Sequence, residues 1–412
     1  MRIILGEMKK IWNLKILLII ALLSALYFTT MVGYLARYPR GTWLSDVDFA
    51  HHLTENYGTT LEQDDFLDFF LNYYGNIEYE LNSFIKSRPI FAEAGIFTMQ
   101  DYWDFSWDVF MHYDILSEKE LNLWYAVSDE WEFSTSDVRR YDGYGGFVSN
   151  NELSFAYRRM QNFFDIADRY ETRWIEDINA FIEHTPLSGK EAQRLIEIRD
   201  SGEMLSIMPA HTIFLTWRYG QSLAVLVILV TFILNSSIIT ADRTSKVNWL
   251  QYSSKQGRPI LKKQFIAILI SAILMTTILV VVFSGIFSLT EAHAFWNNGI
   301  NSFLNFPYFW LPITYGQYVF LIVGVIYLLS IGAAAFAFAL SRISQSMIRL
   351  LFKIIPFFTA VILLSNWVLS EFLAVYLGGS VLIQMLSVVF LLVAGVTIVT
   401  VVVHREKKFE LY

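Results

Sequence analysis

The feature that most constrains this chain is the spacing of its charges. Asp, Glu, Lys and Arg are absent from residues 16–36, 219–241, 264–290, 292–341, 354–370 and 372–404. A helix crosses a bilayer with about 20 mostly apolar residues, and a charge near its centre is costly. The uncharged runs therefore predict six membrane spans, the fourth at 317–340 and preceded by a long aromatic loop. The composition, 55% hydrophobic and 17% aromatic with only 17% charged, excludes an ordinary soluble domain. Lys9, Lys10 and Lys15 precede the first run as they would in a signal peptide. That run is longer than a signal core and no A-x-A site follows it, so it reads as a retained anchor.

Orientation follows from the basic residues. Arg2, Lys9, Lys10 and Lys15 lie before span one; Arg243, Lys246, Lys255, Arg258, Lys262 and Lys263 lie between spans two and three. Arg342, Arg349 and Lys353 fall between spans four and five, and Arg405, Lys407 and Lys408 in the tail, whereas loops 290–316 and 371–379 have neither Lys nor Arg. Both termini are thus expected in the cytoplasm, and a large segment between spans one and two outside. Residues 41–210 hold 32 acids against 12 Lys and Arg, so a strongly acidic outer part sits on a basic membrane body. Bases strung along a membrane edge do not make a nucleic-acid surface.

The outer part reads as mostly helical. Capping-box patterns, a Ser or Thr with Glu three positions on, occur at Thr59/Glu62, Ser117/Glu120, Ser149/Glu152 and Ser188/Glu191. The third predicts a long helix carrying Leu153, Tyr157, Met160, Phe163, Phe164, Trp174 and Phe181, ended by Thr185-Pro186. Residues 141–147 predict a turn, and 123–133 a short hairpin. The expected fold class is an all-α polytopic membrane protein: six transmembrane helices with a large, mostly helical extracellular domain between helices one and two. Its parts are an amphipathic N-terminal helix at 1–15, span one at 16–37, the extracellular domain at 38–211, and spans two to six at 212–412 with a cytoplasmic loop at 242–263.

Sites of chemistry are sparse. There is no cysteine, which excludes disulfides, thiolate metal sites and Cys nucleophiles. The one Gly-Lys pair, Gly189-Lys190, is followed by Glu191 and lacks the glycine that a phosphate-binding loop needs. His51-His52, near Asp48 and Glu55, is the best metal candidate, but adjacent helical residues point about 100° apart, so a solvated surface is the better reading. Acid pairs such as Asp64-Asp65 and Asp129-Glu130 arise by chance in so acidic a region, and no G-x-S-x-G elbow occurs. The spans have essentially no ionisable residue, with Arg218 and Glu371 at their ends, which disfavours an enzyme or a proton-coupled carrier. No catalytic, cofactor or metal residue is expected.

The loop between spans two and three, by contrast, is patterned. From Asp242 it passes Val247, Trp249 and Leu250 on an apolar face, then Tyr252, Ser253, Ser254 and Lys255, breaks at Gly257-Arg258, and meets Pro259, suited to the first turn of the next span. Two readings stay open: a short helix along the membrane surface that a soluble partner can push, or a basic loop held on anionic headgroups. In the N-terminal segment Ile4, Met8, Ile11 and Trp12 form an apolar stripe suited to the membrane interface, with Glu7, Lys9 and Lys10 away from it.

At these residues the sequence resembles the permease subunits of bacterial ATP-binding-cassette transporters of the type-2 exporter family. The resemblance lies in the loop Asp242, Trp249, Leu250, Tyr252, Lys255, Gly257, Arg258, where Asp242 stands in place of the family's usual Glu, and in the six-span plan; the 41–210 insertion resembles nothing known to us. It implies a transporter half in a bacterial cell membrane, with no ATPase site of its own. A second permease chain and a separate ATPase, which would bind ATP and magnesium, are the implied partners besides the lipid bilayer. Trp249, Leu250 and Tyr252 would dock the ATPase, Gly257 would be a hinge and Arg258 a bridge to partner or lipid. A peptide-like or amphipathic substrate is the implied cargo; the alternative is a subunit that transports nothing and signals through its outer domain. The small residues Gly332, Ala333, Ala334, Ala335, Ala337 and Ala339 of span four are read as packing surface. The aromatic loop 294–317 is read as an interfacial belt rather than a re-entrant cap.

Overall fold

The computed structural model describes residues 2–33, 44–69, 71, 75–137, 140–141, 147–148, 170–244, 257–344, 346–376 and 381–409. It is helical apart from a single two-residue β pair among the described residues. The chain divides into two compact units: a helical body of Met1–Gly41 with Leu187–Tyr412, and an inserted unit of Thr42–Pro186. The boundary differs from the sequence expectation of 38–211, because the helix that follows Pro186 packs with the body.

In the body, α1 (Arg2–Ile11) meets α2 (Leu14–Tyr27) at a 52° bend. Asn13 makes the corner, its side-chain oxygen accepting from the Lys15 N–H at 2.9 Å. The end of α2 widens into a π turn over Phe28–Val32, where the Thr29 and Thr30 hydroxyls both bond back to the Leu26 carbonyl at 2.9 Å. Among the described residues five further helices are long and apolar enough to cross a membrane, or six spans if the bent pair counts as one. This makes the chain a multi-pass membrane protein.

These five, numbered after the helices of the inserted unit and α10 introduced below, are α11 (Ala210–Thr244), α12 (Gly257–Phe287), α13 (Tyr315–Ile343), α14 (Met347–Leu369) and α15 (Val381–Phe409). Helix α13 is the centre, packed on the other four, and α11 is equally interior: 67% of its apolar window is buried, against 17% for α14. The small residues of α13 explain its place. A Cβ on Gly332 would lie 2.8 Å from Leu391, and one on Gly395 would lie 2.9 Å from the Ala335 Cβ, so α13 and α15 touch almost backbone to backbone. The packing reading of this stripe therefore holds.

The start of span five differs from expectation. Helix α14 begins at Met347, one turn and more before 354, so Arg349 and Lys353 lie within it and the connection from α13 is a few residues long. Pro356 is inside α14. Ser346 caps this helix, its hydroxyl accepting from the Arg349 N–H at 3.4 Å.

The inserted unit contains α3 (Leu44–Tyr57), α4 (Gln63–Phe69), α5 (Gly75–Lys86), α6 (Pro89–Glu93), α7 (Met99–His112), α8 (Glu118–Asp137) and α9 (Tyr170–His184). Helices α5 to α8 enclose an aromatic core of Phe84, Phe91, Tyr102 and Trp131 with Leu81, Ile85, Ile96, Met99 and Val127. Tyr102 stacks on Trp131 at 4.4 Å, and Phe84 and Phe91 meet Trp131 edge-on at 5.7 and 6.2 Å. Such pairs add about 0.5–1.5 kcal/mol each beyond burial.

Two expected capping boxes form: Glu191 receives from Ser188 N–H at 2.7 Å, and Glu120 from Ser117 N–H at 2.8 Å. Thr59/Glu62 does not; the Glu62 N–H donates to Asp65 at 3.2 Å and α4 starts one residue later. Ser149/Glu152 and the first part of its helix lie outside the described residues, while α9 ends at His184, before Thr185-Pro186 as expected. The expected hairpin at 123–133 is instead the middle of α8, whose Val127 and Trp131 recur at helical spacing and are buried. The expected turn at 141–147 is flanked by β1 (Arg140–Tyr141) and β2 (Phe147–Val148), which pair antiparallel, while residues 142–146 lie outside the described residues.

Candidate functional site

The patterned loop joins α11 to α12. Asp242 lies in the last turn of α11, and Gly257 and Arg258 are the first two residues of α12, so the expected break falls where the helix begins and Pro259 sits in its first turn. Trp249, Leu250, Tyr252 and Lys255 lie outside the described residues. What the structure does define is how the helix leaving this loop is held.

Helix α1 lies against α12. Ile4, Glu7, Met8 and Ile11, spaced three and four apart, share one helix face. Ile11 is 1% exposed and Glu7 6%, while Ile4, Met8 and Trp12 are half-buried and Leu5, on the other side, is 58% exposed. The stripe read from sequence is real, but it faces the protein, and Glu7 lies within it rather than away from it. Glu7 can lie in the buried face because it meets a buried partner. Gln264 of α12 donates its amide to Glu7 Oε2 at 3.1 Å, and Lys10 closes on Oε1 at 2.9 Å. A buried carboxylate without such partners would cost several kcal/mol. Farther along α12, Ser271 accepts from the Trp12 indole N–H at 3.1 Å. The Gln264 carbonyl oxygen is itself buried and takes no donor from any described residue.

Deeper in the body three helices are tied by hydroxyls. Ser330 of α13 meets Thr231 of α11 at 3.1 Å and accepts from Thr276 of α12 at 2.8 Å, all three buried. Buried hydroxyls joined this way satisfy one another without any charge. Near the far ends of α11 and α13, Thr216 pairs with the Tyr315 hydroxyl at 2.7 Å and the Trp217 indole donates to the Tyr318 hydroxyl, which in turn donates to the Phe372 carbonyl at 2.8 Å.

That end is closed by a folded cap. It consists of α10 (Gly189–Ser201), the short helical turn Glu203–Leu205 and the loop 296–314, with the turn 370–376 bonded to it. Arg194, 7% exposed, makes two bonds to the Glu203 carboxylate at 2.9 and 2.7 Å and a third to the Phe309 carbonyl at 3.2 Å. Asn301 donates to Glu203 at 2.6 Å and accepts from the Phe309 N–H at 2.7 Å. Ser302 receives the Met208 N–H at 2.9 Å, and Ser206 donates to the Gly299 carbonyl at 3.0 Å. Trp310 N–H donates to the Leu373 carbonyl at 3.0 Å, and Val375 N–H to the Tyr308 carbonyl at 2.8 Å. The aromatic loop is a folded element with an interior of its own: Phe295 and Phe309 are wholly buried, while Trp296 and Phe306 are 42% exposed. Sequence reasoning saw its aromatics and passed over its asparagines. Asn298, Asn301 and Asn305, recurring through an otherwise apolar run, were the available signal.

The histidine pair is divided as its spacing predicts. His51 bonds Glu55 at 3.0 Å, while the His52 ring lies 5.7 Å from Phe69 and 3.4 Å from the Asn56 amide. Among the described residues no group of three or more His, Asp or Glu could hold a metal ion.

No family model matches the chain. No curated protein and no solved structure matches it either.

Proposed function

We propose that this chain is the permease subunit of an ATP-driven exporter in a bacterial cell membrane, worked by a separate ATPase docked on the loop 242–263. The observation that carries the reading is the grip of α1 on α12. The loop's exit helix starts at Gly257 and within two turns is bonded to Glu7 through Gln264. A push on Trp249, Leu250 or Tyr252 would enter α12 and α1 together, and reach α11 and α13 through the Thr276–Ser330–Thr231 contacts. The basic residues gathered at this end support its cytoplasmic placement. Two such chains, or this one and a relative, would form the path for an amphipathic or peptide-like cargo.

The test is purification of the tagged chain from its native membranes in mild detergent, beside Leu250→Glu. The expected result is an ATP-hydrolysing chain that accompanies the native protein and is lost from a variant of unchanged thermal stability. If no ATPase accompanies the native chain, the reading fails. If one does but no cargo stimulates it, the subunit signals through its inserted unit instead.

A further inference from the structure

The inserted unit carries a group of exposed aromatic residues. None of its described helices is long and apolar enough to cross a membrane. Helix α7 buries Met99 and Tyr102 in the core of its own unit, and Val109 is buried as well. On its outer side Trp107 is 58% exposed, Phe110 71% and Met111 60%. Helical spacing puts these three on one stripe, with Asp104 and Asp108 along its border. Trp107 and Phe110 rest on each other, ring centres 5.7 Å apart. Past the helix end Tyr113 and Ile115 are also exposed, and the Tyr113 hydroxyl lies 2.9 Å from that of Tyr125 on α8, which extends the surface onto a second helix.

Large exposed Trp, Phe, Tyr and Met side chains grouped on a folded unit mark an interaction surface. The charge around them selects the partner. Residues 100–120 contain six carboxylates and a single base, Lys119. Asp108, which pairs with His112 at 3.0 Å, keeps its side chain 71% exposed, and Glu118 is exposed past the helix end. Anionic headgroups and a second copy of the same acidic surface are both repelled by such a rim. A positively charged apolar segment is drawn to it.

We infer that the face formed by Trp107, Phe110, Met111, Tyr113, Ile115 and Tyr125 is a docking surface for a cationic amphipathic peptide, whose apolar side lies on the aromatics and whose Lys or Arg residues meet Asp104, Asp108, Asp114 and Glu118. The inference does not require the transport reading, because binding alone is measured.

The full chain in nanodiscs of zwitterionic lipid is titrated with a fluorescent helical peptide of leucines and lysines, and with its leucine–glutamate counterpart, by anisotropy. The lysine peptide is expected to bind and to weaken as salt rises. Trp107→Ala with Phe110→Ala is expected to reduce affinity about tenfold or more, the size of effect one packed aromatic anchor carries. Asp104→Asn with Asp108→Asn, which leaves the apolar surface intact, is expected to remove most of the salt dependence. Equal binding of the glutamate peptide, equal binding to empty nanodiscs, or affinity unchanged in both variants would overturn the inference. So would self-association of the chain that the aromatic variant abolishes, since the occupant would then be a second copy.

Discussion

Single residues decide whether a surface helix is loose or fixed, and Glu7 is the clearest case. Glu7→Ala would leave the Gln264 amide without its acceptor and release Lys10, whose side chain is partly in solvent. The expected loss is about 1–2 kcal/mol of docking of α1. Because the chain has no cysteine, a single Gly6→Cys, at a position with no neighbour within 4 Å, gives a unique probe. Its spin-label spectrum should become more mobile in the Glu7→Ala background. At Thr98 and Asp101, reciprocal bonds cap α7: Asp101 accepts from the Phe97 and Thr98 N–H groups at 3.0 and 2.8 Å. Those backbone bonds, Phe97 first, hold the Asp101 carboxyl below the ordinary carboxylate range. Its contribution is therefore complete above the unfolded-state value and is lost as pH falls through the lower native one. The protection of the first-turn amides of α7, taken relative to their intrinsic exchange rate at each pH, should fall in acid, and Thr98→Ala should cost about 1 kcal/mol there at neutral pH.

At the scale of elements, helix contact is set by what is missing from a side chain. Gly332→Val would force a Cβ to within 2.8 Å of Leu391, whereas Gly324 has open space around it. The first change is expected to lower the melting temperature in detergent, through an overpacking cost of about 1–3 kcal/mol, and Gly324→Ala to leave it nearly unchanged. Helix existence was legible throughout the body because apolar length and the absence of charge dominate there. Helix ends were not, since Arg349 and Lys353 extend α14 where charge spacing places a loop. In the inserted unit, mixed aromatic and acidic residues gave 123–133 an apparent alternation, and burial on one side of α8 overrode it. The boxes at Thr98/Asp101 and Thr314/Gln317 escaped a search that required Glu at the third position. At the loop, Gly257 and Pro259 marked the start of α12 in the sequence, while the Glu7–Gln264 bond joins residues 257 apart and has no local signature.

For the whole molecule, the notable division is between a body whose helix interior is tied by neutral hydroxyls, with its ion pairs Glu7–Lys10 and Arg194–Glu203 toward the helix ends, and an inserted unit with 28 acids against 9 bases. The insertion is joined to the body by two stretches of chain, and the second arrives at α10, where Arg194 is bonded to Glu203 and to the Phe309 carbonyl. In mechanical terms this is a strain relief, like the clamp that takes the pull on a cable before it reaches the terminal. The residues that follow are themselves bonded to the loop 296–314, Ser206 to the Gly299 carbonyl and the Met208 N–H to Ser302, so the start of α11 is anchored from within the body.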